Sequence, residues 1–68
     1  MTLEELIEAL ASLKQQAGDP EAAHILEDEI WEKTLMHIAF DCSDGDEMKH
    51  WAHKALGTKK VEFARWYA

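Results

Sequence analysis

His24, Glu27 and Asp28 stand three and four residues apart in the segment AAHILEDEIW, a spacing that stacks side chains on one face of a helix. An imidazole and carboxylates so placed can ligate one divalent cation, as helical-bundle sites do with a Glu-x-x-His pair. Glu21 and His24 repeat that spacing, and His50 and His53 offer two more imidazoles further along the chain. A metal-binding or metal-dependent hydrolytic site at His24, Glu27, Asp28, His50 and His53 requires two helices to bring these groups to one point. The competing expectation is a histidine bonded to a carboxylate one turn away, beside Trp31, anchoring helix packing.

Glu27 is the sharper signal. At 100° per residue it lies, with His24, within the broad apolar arc of Ala23, Ile30, Trp31, Thr34, Leu35 and Ile38. An ionised carboxylate buried there without a partner costs several kcal/mol even after the surroundings relax. The candidates to neutralise it are His24, His50, His53, Lys54 and Arg65, with an indole N–H from Trp31 or Trp51 as a further donor. The expectation is a basic group from the carboxyl-terminal part.

Other chemistry is excluded by residue type. In DCSDGDE, a calcium loop with Gly45 at its sixth position puts Phe40 first and Trp51 twelfth, where oxygen ligands are required. Cys42 is flanked by Asp41, Asp44 and Asp46, which raise a thiol pKa and oppose a nucleophilic role. There is no Gly-rich phosphate loop and no serine elbow. Glu4, Glu5 and Glu8 resemble the first half of the carboxylate signature of all-α nucleotide pyrophosphatases, but the second half, Glu-x-x-Asp, is missing.

The elements that position these groups read as helices. Thr2 and Glu5 have capping-box spacing before Leu3, Leu6, Ile7, Leu10 and Leu13, giving a helix over about residues 3–17 ended by Gly18. Asp19 as N-cap and Pro20 at the first position open a second helix to about Phe40. Its Ile25, Met36 and Phe40 lie opposite the first arc, so it should meet more than one neighbour. Met48, Trp51, Ala52, Ala55 and Leu56 give a third helix over 46–56, with Gly57 as its stop. The last stretch reads as a short helix capped by Thr58 or an extended arm. Its Val61, Phe63, Trp66 and Tyr67 are too apolar for water and should fold back as a lid. The fold class expected is all-α, a small antiparallel bundle of three helices plus this segment, forming one domain over 1–68.

Composition sets the outer limits. Sixty-eight residues, 47% of them hydrophobic, permit one marginal core that typically leans on a partner subunit, a metal or close packing. One cysteine excludes an internal disulfide and fits a reducing compartment. The acidic first residues do not read as a signal peptide, and no run approaches the roughly 20 apolar residues of a membrane span. A cytoplasmic protein without membrane contact is expected. The net charge of −7 divides into −11 over residues 1–47 and +4 over 48–68. These parts attract each other, and the overall sign opposes phosphate binding.

DPEAAHILEDEIW, TLMHIA and FARWYA together resemble small bacterial and phage-associated proteins that carry a D-P-E-x-x-H-x-x-E-D-x-L-like helix and a terminal F-x-R-W segment. The likeness spans residues 19–39 and 63–68, with Trp31 where that group more usually has an aliphatic residue. It implies only that the central helix and the aromatic end belong to one design, since no activity comes with it. The expected function is a non-catalytic, acidic protein-interaction module, a homodimer or small oligomer. It would present Glu4, Glu5, Glu8, Glu29, Glu32 and Trp66 to a protein partner, as a phage or bacterial regulator or inhibitor of a basic host protein. No cofactor is expected unless a divalent metal binds the His/Glu/Asp set. Nucleic-acid contact through the basic end, including Lys59 and Lys60, is the remaining alternative.

Overall fold

The computed structural model describes residues 1–65 and is all-α: α1 spans Leu3–Gln15, α2 Pro20–Phe40 and α3 Gly45–Ala55, followed by a 3₁₀ turn, η1, over Leu56–Lys60. Each α-helix starts where a side chain satisfies an otherwise orphaned backbone N–H. Thr2 and Glu5 close the expected capping box, with reciprocal bonds of 3.1 and 3.0 Å. Asp19 accepts from the Ala22 N–H at 3.3 Å with Pro20 behind it, and Asp44 accepts from the Glu47 N–H at 2.8 Å.

The twenty-one residues of α2, at about 1.5 Å each, run nearly the full 36 Å of the long axis. The shorter α1 and α3 both pack on it. Its inward stripe is Ala23, Glu27, Ile30 and Thr34, the four-three-four spacing of one helical face. Leu6 and Leu13 of α1, Trp51 of α3 and Val61 beyond η1 complete the core. Leu35, Met36 and Phe40 near the end of α2 lie off this stripe and stay exposed, Phe40 at 79%.

Three boundaries differ from those expected. The first helix stops at Gln15, where the Gln16 N–H shares the Ser12 and Leu13 carbonyls. No glycine has a positive φ, so Gly18 does not supply the left-handed stop expected of it; Asp19 bonding back to the Gln16 carbonyl at 2.9 Å makes the turn. Gly57 is not a stop either: it lies inside η1, which continues α3 as a tighter turn. Thr58 caps nothing and is fully buried. The chain then runs without regular structure over 61–65, with Val61 buried and Phe63 packed against the core, as a lid would be. Trp66 and Tyr67 lie outside the described residues.

The glycine result carries a measurable consequence. A Cβ at Gly18 meets nothing within 4 Å, and one at Gly57 meets only Leu10 methyls at 3.6 and 3.7 Å, an ordinary contact. Gly18→Ala is expected to raise stability by about 0.4–1 kcal/mol by reducing the freedom of the unfolded chain. Thermal melts check this, and a lowered Tm would show that position 18 needs glycine after all.

Candidate functional site

The buried carboxylate on α2 organises the molecule's polar interior. Glu27 is 8% exposed because the helical period that buries Ala23 and Ile30 buries it too. Arg65 reaches it from the far end of the chain: Nε lies 3.2 and 3.3 Å from Oε1 and Oε2, and Nη2 lies 2.9 Å from Oε2. That Nη2 also donates to the Thr58 and Val61 carbonyls, each at 2.9 Å. One guanidinium thus fastens α2, η1 and the terminal strap together, with five N–H donors in a rigid plane suited to such a fork. Its face lies 3.8 Å from the Phe63 ring, a cation–π contact.

Thr58 extends the network. Its hydroxyl accepts the Trp31 Nε1–H at 2.9 Å while its carbonyl accepts from Arg65, so the indole is tied to the clasp through Thr58. Burial alone would push the Glu27 carboxyl up. The hydrogen bonds from Arg65 and Thr58 and the charges of Arg65 and Lys59 outweigh it and hold the group below its ordinary value. Glu27 in turn raises the Arg65 pKa, chiefly through the hydrogen bond between them. A carboxylate held in its charged form by a permanent cation is a poor base. The arrangement is a structural clasp.

The clasp adjoins an open groove. Trp31, Thr34, Leu35 and Ile38 of α2 face Ala52, Ala55 and Leu56 across a hollow of about 170 Å³ whose wall exposes no polar atom. Trp31 is 36%, Leu56 50% and Leu35 60% exposed. Because Thr58 satisfies the indole N–H, the Trp31 ring can line an apolar surface without leaving a donor unpaired. Lys59 Nζ sits 5.6 Å from the centre of that ring.

The residues singled out from the sequence separate into distinct places. His24 Nε2 lies 3.5 Å from Asp28 Oδ2, one turn apart on α2. Glu27 belongs to Arg65. His50 and His53 are exposed on α3, and His53 borders Lys14, Lys54 and Lys60 rather than carboxylates. The five expected ligands therefore do not converge. Among the described residues, the one group of three metal-ligating side chains with ligand atoms within 4.8 Å of one another is His37, Cys42 and Glu47, none of which had been paired from the sequence. Burial first, then Glu47, Asp41 and Asp44, raises the Cys42 pKa; Glu47 counts here where Asp46 had been expected to.

Glu4, Glu5, Glu8, Glu29 and Glu32 are all exposed. The Glu5 carboxylate is engaged by Thr2, whose backbone and side-chain hydrogen bonds lower its pKa. Glu5 and Glu29 line one hollow with Lys33. Trp66 lies outside the described residues. No helix among the described residues is long and apolar enough to cross a membrane. No protein family, curated protein or solved structure matches the chain, so the functional reading rests on these side chains.

The Glu27 shift fixes a pH dependence. A carboxyl held below its unfolded value contributes stability above the ordinary glutamate range, and that contribution is lost as pH falls through the folded value. Glu27→Gln is expected to cost about 1–3 kcal/mol at neutral pH, the penalty for an impaired buried charge-assisted bond. The gap from the unaltered protein should narrow as pH falls below that range. Urea melts at several pH values test it; a gap constant from neutral to acid would show that the charge on Glu27 plays no part.

Proposed function

We propose that the chain is a non-catalytic protein-interaction module that self-associates through the groove between α2 and α3 and turns its acidic surface toward a basic protein. The observation that carries this reading is the groove itself, with three large side chains open to water along an all-apolar wall. Covering such a surface is worth about 25 cal/mol for each Å² removed from water. The chain has reason to seek that burial, because Leu6, Leu13 and Ile30 are the only large aliphatic side chains fully buried among the described residues. A core that small leaves little margin.

Charge supports a second copy as the occupant. Asp28 and Glu32 lie one turn before Trp31 and Leu35 on the α2 side, while Lys49 lies one turn before Ala52 and Lys59 lies beside Trp31 on the other. A two-fold contact that lays α2 of one protomer against α3 of its partner brings opposite charges together at both rims. Glu4, Glu8 and Glu29 on the outward surface would then face a cationic protein. Such an encounter is steered by charge and weakened by salt, and a regulator or inhibitor of that protein would use it in this way.

Light scattering or sedimentation gives the test. The protein is expected to run at twice the 7.8 kDa of one chain at micromolar concentration. Leu35→Asp and Leu56→Asp, at exposed positions where helicity should be kept, are each expected to return it to one chain. A monomer throughout the concentration range, or variants that still associate, would refute the groove as an interface.

A further inference from the structure

The junction between α2 and α3 holds a second cluster that the clasp and the groove do not use. His37 lies in the last turn of α2, Cys42 just beyond the helix and Glu47 in the first turn of α3. The backbone fixes all three: the Cys42 N–H donates to the His37 carbonyl at 3.1 Å, and Asp44 anchors the Glu47 N–H at 2.8 Å. One ligand atom from each lies within 4.8 Å of the other two, and none of the three residues is fully exposed.

The imidazole supplies an independent observation. His37 packs on Trp51, ring centres 3.9 Å apart. Both of its nitrogens are out of water, and neither makes a hydrogen bond. The nearest acceptors are Asp41 Oδ2, 3.6 Å from Nδ1, and Glu47 Oε1, 4.0 Å from Nε2. Buried polar atoms are nearly always paired, and exceptions mark strain, catalysis or an ion. Here each nitrogen faces a carboxylate just beyond bonding distance, with the thiol beside them.

We propose that His37, Cys42 and Glu47 bind a divalent transition metal ion of the zinc class, with Asp41 orienting the imidazole. A nitrogen, a sulfur and an oxygen donor suit Zn²⁺ and its analogue Co²⁺, whereas Mg²⁺ and Ca²⁺ take all-oxygen sets. Nε2 is the ligating nitrogen. With the ion bound, Nδ1–H closes the 3.6 Å gap to Asp41 Oδ2, the carboxylate–histidine–metal relay common at such centres. Binding displaces the Cys42 thiol proton to solvent and forms a metal–sulfur bond, so the thiolate is the ligand. Metal–ligand bonds of about 2.0–2.3 Å require the three donors to close in by roughly an ångström, through side-chain rotation of Glu47 and Cys42 toward the imidazole. The fourth tetrahedral position is left for solvent or a partner's side chain. The ion ties the end of α2 to the start of α3, a link the chain otherwise makes through the 41–44 turn and the Trp51 contact.

Titration of the reduced, untagged full chain with Co²⁺ tests this. One equivalent is expected to bind, with a near-ultraviolet thiolate-to-cobalt band and quenching of tryptophan fluorescence through Trp51. Zn²⁺ should abolish the band by displacement. Cys42→Ser, with its helicity checked by circular dichroism, is expected to lose the band. Asp41→Asn should keep it but bind about 10–100-fold more weakly. No band in excess Co²⁺ would overturn the proposal. So would equal metal affinity in Cys42→Ser, which would place the ion at other histidines.

Discussion

The fork between Arg65 and Glu27 is the contact on which the rest of the structure depends. Helical periodicity forces residue 27 into the core whatever its chemistry, so a carboxylate there has to be answered from within the molecule. The only charged group that hydrogen-bonds to it among the described residues comes thirty-eight positions later. Satisfying Glu27 therefore brings the chain end back across η1, and the same guanidinium then engages the Thr58 and Val61 carbonyls. Val61 and Phe63 reach the core because Arg65 is held. A buried pair of this kind can contribute less net stability than apolar residues of equal volume. Its effect lies in position: a guanidinium fork accepts one arrangement of the strap, where a greasy contact would accept several.

The clasp also shapes the open groove between α2 and α3. Glu27, Arg65, Thr58 and Trp31 are linked in series, so the indole that forms one wall of the groove is tied to the bonds that hold the strap. Trp31 can then be apolar on its open face and paired at its edge. The outward charges follow from the same economy of space. With α1 and α3 packed on α2, most acidic residues lie on the exterior, while the later cations spread out: Arg65 turns to Glu27, Lys59 sits beside Trp31, and Lys54 and Lys60 gather near Lys14.

Much of this was legible in the sequence, for local reasons. Thr2 with Glu5 and Asp19 with Pro20 act within one turn, so their spacing alone located two helix starts. Glu27 stood out because its polarity conflicted with its place on the apolar arc, and the charge asymmetry of the chain pointed to a basic partner from the later part. Choosing Arg65 over Lys54 or a histidine needed the path of the chain beyond Gly57, which no periodicity encodes. Gly18 and Gly57 differ from the helix stops their positions suggest, because composition reveals that a glycine is present but not what φ it adopts. Thr58 has the residue type of a cap, but it is buried and joins Trp31 to Arg65. His37, Cys42 and Glu47 escaped notice because they meet across a turn, where helical spacing says nothing about proximity.

The central claim is that Glu27 and Arg65 act as one unit rather than as two independent surface charges. A double-mutant cycle of Glu27→Ala, Arg65→Ala and the pair, read as unfolding free energies at neutral pH and low salt, measures that directly. The account expects the two losses to overlap, with a coupling of at least about 1.5 kcal/mol. Losses that add to within about 0.5 kcal/mol, the behaviour of sites that do not touch, would contradict it.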